Sequence, residues 1–344
     1  LPTRRILDCP LPVLAAPMAG GATTPALVRA AHRAGGLGFL AAGYLTAAEL
    51  AERMEQLDGI PYGVNLFCSN DRPIDTAAFA RYATELAPEA ERLGVALDAE
   101  PVLDDDDHWQ DKIALLLAHP VPYVSITFGL PPAADVAALQ QVGSAVLITV
   151  TTVEEAIAAA AAGADGLVAQ GSRAGAHSGT HDPRRTITDL PTDDLVADVI
   201  AATGLPTIGA GGVDGPAAVG SILAAGAEAV AVGTMLLRTD EAGTSRTHRD
   251  ALVDPAFTET VITHAFTGRP ARGLRNAFID DHEATAPYGY PAVHHLTRAL
   301  RQAAAAAGDP HHLHLWAGTG FRNAPTGPAA AVLHRLAPSG CRTG

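Results

Sequence analysis

GADGLVAQGSRAGAHSG, residues 163–179, sets a short apolar run directly before a glycine-rich loop that carries a histidine. A run that is apolar on both faces is what a strand buried between helices looks like. A loop of small residues after it either lets backbone approach a ligand closely or simply turns a corner.

The same unit recurs along the chain. Runs of this type stand at VLAAPMAG (13–20), GFLAAG (38–43), YGVNLF (62–67) and YVSITFG (123–129). They continue at AVLITV (145–150), GLVAQG (166–171), PTIGAGG (206–212) and AVAVGT (229–234). Alanine-rich segments with helical spacing separate them, and strand–helix alternation implies a parallel sheet. Eight units in about 235 residues match a (β/α)8 TIM barrel, for which ~250 residues is typical. Helix starts are legible: Thr24 with Pro25 at the first turn, the TTVEE stretch before the sixth run, and Asp214 with Pro216 before the eighth. Residues 1–240 therefore read as the barrel, with an insertion at about 69–120. Residues 241–344 read as a smaller, α-rich C-terminal subdomain packing on it.

Bulk properties narrow the function. Hydrophobic residues make up 48% of the 344 and charged residues 17%, enough apolar material for a large core. A formal net charge of −14 with no basic stripe opposes nucleic acid and anionic membrane surfaces, leaving a small molecule as the expected partner. No apolar stretch approaches the ~20 residues that span a bilayer. Cys9, Cys68 and Cys341 form neither a disulfide framework nor a zinc pattern, and a cytoplasmic monomer or homodimer is expected. Asp104 to Asp107 read as a solvated acidic turn and DPHHLHLW as a surface turn, so no metal site is expected.

Barrel enzymes place their chemistry at the carboxyl ends of the strands, often with a phosphate site after the seventh and eighth. Here those strands end in GAGG (209–212) and VGT (232–234), where glycine lets backbone N–H groups approach an anion. A ligand with a terminal phosphate is implied, either flavin mononucleotide (FMN) or a sugar phosphate. Met18, Asn65, Thr127 and Gln170 stand at other strand ends, and the two amides suit the mixed donor and acceptor edge of a flavin ring. His177, a few residues past the sixth strand, is the candidate base. His181 is its rival, and a plain loop histidine is the alternative to both.

The ordered set APMAGG, YGVNLF, VSITFG, GADGLVAQGSRAGAHSG, PTIGAGGV, AVGTMLLRTDEA, FTGRPARGLRN and LWAGTG resembles the nitronate monooxygenases over nearly the whole chain. The strand-six motif and GRPARGLRN are the specific parts. The resemblance implies an FMN-dependent oxidation of alkyl nitronates, neutral nitroalkanes or an anionic nitronate by dioxygen, giving a carbonyl compound and nitrite. It implies FMN contacts at Met18, Asn65, Gln170, Gly175, Gly212, Ala231, Val232, Gly233 and Thr234, with His177 catalytic. Arg173, Ala176 and Ala231 depart from the acidic residue, glycine and glutamine usual there, and Arg173 suggests an anionic substrate. The alternatives are a flavin-dependent NAD(P)H enoyl-thioester or quinone reductase and a non-catalytic flavin-binding protein.

Overall fold

The computed structural model describes residues 5–68 and 73–338, so Cys341 and the start of the expected insertion lie outside the described residues. Every apolar run forms a strand. The first six barrel strands are β1 (Val13–Ala15), β2 (Phe39–Ala41), β3 (Gly63–Phe67), β4 (Tyr123–Thr127), β5 (Ala145–Val150) and β6 (Gly166–Gln170). After them comes β7, the two-residue strand Ala176–His177, and then the last two barrel strands, β8 (Thr207–Ala210) and β9 (Ala229–Val232).

Parallel pairing runs in the order β1-β9-β8-β6-β5-β4-β3-β2, and a parallel bridge between Ala15 and Gly38 joins β1 to β2. The chain is thus a (β/α)8 barrel. Alternation divides the strands between two cores. In β1, Leu14 packs inside the barrel with Phe39, Leu147, Ile208 and Ala229. Its neighbours Val13 and Ala15 pack outward against Leu27, Ala30 and Ala31 of the first helix, Pro25–Arg33. Strands covered on both faces need apolar residues at every position, which is why they were continuous runs in the sequence.

Capping fixes the helix starts. Thr24 Oγ1 accepts from Leu27 N at 3.0 Å with Pro25 in the first turn, and Thr152 Oγ1 accepts from Glu155 N at 3.1 Å. Asp214 does not cap: Gly215 is the N-cap of helix Pro216–Ala224, without a side-chain bond. The carbonyl of Asp214 instead accepts from Asn323 Nδ2 at 3.0 Å, so the residue anchors a C-terminal loop.

Between β3 and β4, helix Thr76–Leu93 packs Phe79, Tyr82 and Leu86 against Phe266, Phe278 and Leu296 from the chain's last quarter. Helix Trp109–Ala118 instead contacts helices Ala47–Glu55 and Ala133–Gln141 in the outer ring of the barrel. Beyond residue 240, β10 (Thr260–Thr263) and β11 (Ala271–Leu274) form a hairpin. Helix Ala292–Ala307 follows, and helix Ala329–Leu336 returns to pack on the first helix. Among the described residues no helix is long and apolar enough to cross a membrane.

Candidate active site

The glycine-rich loop after β6 is not a simple turn. Residues 176 and 177 form β7, which pairs antiparallel with β11 (Ala271 opposite His177, Arg272 opposite Ala176) and extends the hairpin to three strands. The loop is braced from both sides. Gln170 Nε2 donates to the carbonyl of His177 at 3.2 Å and its Oε1 accepts from Gly179 N at 2.6 Å. Arg272 Nε donates to the carbonyl of Ser172 at 3.0 Å. Ala176 has φ +64°, the left-handed conformation that glycine adopts without strain and alanine does not. At Gly175 a Cβ would lie 2.5 Å from Gly318 N, so only glycine lets this loop cross the LWAGTG segment backbone to backbone.

His177, the nine residues expected to contact FMN, and Thr127 all border one cavity of about 690 Å³ at the carboxyl end of the barrel. Met18 sits beside Gly233, its sulfur 3.4 Å from where a Cβ would stand. Asn65 is buried, with Nδ2 donating to Ser125 Oγ at 2.9 Å and Thr127 Oγ1 at 3.0 Å. Gly211 and Gly212 follow β8 at φ +102° and +71°. A one-turn 3₁₀ helix, Thr234–Leu236, follows β9. Among the described residues the N–H groups of Gly212, Val213, Gly233 and Thr234 donate to no protein acceptor, so two adjacent strand ends present free donors. Ala231 and Val232 line the wall between them.

His177 lies among aromatic rings, with centroids 5.6 Å from Phe128, 5.7 Å from Tyr290 and 5.7 Å from Trp316. Its Nε2 is 2.9 Å from Thr267 Oγ1. Burial, and then the guanidiniums of Arg269 and Arg301, push its pKa down to about 3, so the imidazole is neutral at neutral pH. His181, the rival, does not reach the cavity: its Nε2 lies 3.0 Å from the carbonyl of Thr149 and its backbone N–H donates to Glu155.

Two arginines with no role assigned from the sequence join the site, although Arg269 lies in the GRPARGLRN segment. Arg269 is 1% exposed; it donates to the carbonyls of Ser178 and Thr180 and lies 4.0 Å over the ring of Phe128. Arg301, 6% exposed, donates to Thr297 Oγ1 and the carbonyl of His294 and borders the cavity. Neither pairs with a carboxylate among the described residues, and burial lowers each pKa only to about 10. Arg301 borders the cavity and Arg269 lies behind Phe128 in its wall; both charges act on His177, and they favour an anion beside it.

Three expectations need correction. Arg173 does not turn its charge to the reacting centre: it forms a bidentate pair with Asp189, at 3.0 and 2.8 Å. The acidic stretch is not merely solvated, because Asp107 binds buried Lys112 at 2.7 Å and Asp105 lies 2.6 Å from His295 Nε2, both beside the cavity. DPHHLHLW is not a surface turn, since Leu313 and Leu315 are buried and His314 lines the cavity. Among the described residues no His, Cys, Asp and Glu cluster is arranged to hold a metal.

A (β/α)8 barrel whose strand ends enclose a cavity with free backbone donors, a half-buried imidazole and an anion-favouring wall is an enzyme of small molecules, and this one is an oxidoreductase. A family model described as nitronate monooxygenase matches residues 6–338, and the chain belongs to that family. It is 34% identical over 342 residues to a probable nitronate monooxygenase of Staphylococcus aureus strain Newman, covering 96% of this chain and 95% of the relative. It superimposes with a TM-score of 0.89 and 44% identity on a nitroalkane oxidase from Streptomyces ansochromogenes, across 95% of both chains. FabK from Thermotoga maritima, at 23% identity and a TM-score of 0.73 over 96% of this chain and 93% of that one, shares the fold.

Proposed function

We propose that the protein oxidises alkyl nitronates with dioxygen to a carbonyl compound and nitrite, using FMN held in the 690 Å³ cavity. The observation that carries this reading is the convergence of the two glycine loops, His177 and the unpaired Arg301 guanidinium on that cavity, with Arg269 behind the wall at Phe128. The loops fit a phosphate: the free N–H groups of Gly212, Val213, Gly233 and Thr234 are donors, and positive φ at Gly211 and Gly212 turns the backbone without a side chain in the way. Met18, Asn65, Gln170, Gly175, Ala231 and Val232 would border the rest of the cofactor. When bound, FMN supplies the acceptor for the substrate's electrons.

The protein's own groups account for the substrate preference. Arg301 at the cavity wall, with the field of Arg269 behind Phe128, stabilises negative charge on a nitronate. His177, held neutral by burial and the same guanidiniums, accepts the α-proton when the substrate arrives as a neutral nitroalkane. Its depressed pKa makes it a weak base, so an already ionised nitronate is the better substrate. Phe128, Tyr290 and Trp316 pack around the imidazole and limit water at the reacting carbon.

Anaerobic mixing of the flavin-loaded protein with a primary alkyl nitronate, and separately with NADH and NADPH, tests the reading through the visible flavin spectrum. Bleaching by the nitronate with inert nicotinamides is expected. Reduction by a nicotinamide alone would move the protein to the reductase class.

A further inference from the structure

His177 has two ring nitrogens, and only one has a protein partner. Nε2 is 2.9 Å from Thr267 Oγ1, while Nδ1 makes no hydrogen bond among the described residues and the ring borders the cavity. The threonine is 1% exposed, and its turn is fixed by bonds from Thr267 N and Gly268 N to the carbonyl of His264, at 3.2 and 2.7 Å. Its hydroxyl has one proton and two neighbours to serve. One is His177 Nε2; the other is the carbonyl of Arg269, 3.2 Å away, which among the described residues has no other donor.

A carbonyl oxygen can only accept, whereas an imidazole nitrogen can donate or accept. Satisfying every buried group therefore directs the hydroxyl proton to Arg269 O and makes Nε2–H the donor to Oγ1. The opposite arrangement leaves Arg269 O unpaired. We propose that Thr267 is a positioning residue that locks His177 in the tautomer protonated at Nε2, so that a bare Nδ1 faces the cavity.

The consequence rests on the proposed function, in which His177 meets the substrate. A neutral nitroalkane gives its α-proton to Nδ1: the C–H bond breaks, an N–H bond forms, and the electron pair stays on the substrate as the nitronate. A substrate that is already a nitronate gains nothing from a lone pair at that position. Thr267 thus governs turnover of the neutral form and leaves the anionic form largely to the arginines.

The test is nitrogen-15 NMR of the histidine-labelled holoenzyme, with His177 assigned by its loss in His177→Asn. Two-bond proton–nitrogen couplings distinguish the tautomers directly, without substrate. The wild type and Thr267→Ser are expected to show Nε2–H, and Thr267→Val, which keeps shape but loses the hydroxyl, a mixture of tautomers. In the same variant kcat for a neutral nitroalkane should fall about tenfold or more, with KM for the nitronate unchanged and activity restored by serine. An Nδ1–H pattern in the wild type, or an unaltered pattern in the valine variant, overturns the assignment. Nε2–H in a wild type that oxidises no nitronate would sustain the assignment and sink the proposed reaction instead.

Discussion

The Nε2 of His282 lies 2.8 Å from Oε1 of Glu89, joining the chain's last quarter to the helix inserted between β3 and β4. The other ring nitrogen lies 2.6 Å from Glu85 Oε1. Burial alone would lower the imidazole's pKa, but hydrogen bonds to the two carboxylates outweigh it and the net shift is upward. For Glu89 burial raises and the His282 bond lowers, with a net downward shift.

The sign of the pH dependence follows. A raised histidine stabilises fully below its ordinary pKa of about 6.5 and loses that contribution as pH rises through the folded value. A lowered glutamate contributes above its ordinary value and loses that as pH falls. The tie is therefore strongest in mildly acidic solution. His282→Gln should cost about 1–3 kcal/mol there and flatten the decline in stability toward alkaline pH. Urea unfolding across pH checks it; an unchanged slope would show that the pair is not coupled to folding.

Arg301 separates substrate binding from chemistry. Arg301→Met, which keeps an unbranched buried stem, should raise KM for alkyl nitronates about tenfold or more with little change in kcat. Steady-state kinetics decide this, and an unmoved KM would remove Arg301 from the anion site.

His177→Asn should leave FMN bound and nitronate turnover within a few-fold of wild type, while turnover of neutral nitroalkanes falls about a hundredfold. Because the pKa is depressed to about 3, no activity limb should appear near pH 6.5 in the wild type. A limb there that disappears in the asparagine variant would mean that the imidazole titrates normally.

Asp189 holds the charge of Arg173 away from the loop, though the arginine's Cβ lies only 3.3 Å from where a Cβ on Gly212 would stand. Asp189→Asn should release that charge toward the phosphate loop and tighten FMN binding a few-fold, with stronger salt dependence. The pair is exposed, so stability should change by less than about 1 kcal/mol. Flavin fluorescence titration measures the first effect, and unaltered affinity at low salt would place Arg173 outside the phosphate's field.

Ala176→Gly should be neutral or stabilising by up to about 1 kcal/mol, because relief of a left-handed alanine exceeds glycine's entropic cost. Ala176→Val should destabilise. Thermal melts of the two variants give the comparison, and a lower melting temperature for glycine would mean that the left-handed backbone carries no strain.

The barrel was legible because each strand is buried on both faces, and such runs as AVLITV stand out against polar loops. His177 and the glycine loops were legible because the fold says where strand ends converge. The roles of Arg269, though its segment GRPARGLRN stood out, and of Arg301 were not, since a buried arginine looks like a surface one until its carbonyl partners, 89 and 7 residues away, are known. The β7–β11 pairing was hidden for the same reason: two residues cannot show a strand period. DPHHLHLW and the alanine after it did carry a signal, in the alternation of Leu313, Leu315 and Ala317, all buried.

The antiparallel pairing of β7 with β11 has a bearing on how the molecule is made. The imidazole is emplaced by residues translated about ninety positions after it, and the loop after β9 is closed by Gly318 N donating to Thr234 Oγ1 at 2.9 Å. On the ribosome, all eight barrel strands are made before the hairpin that holds the imidazole exists. A chain cut short in its final quarter would keep the barrel's strands and lose the wall that braces His177.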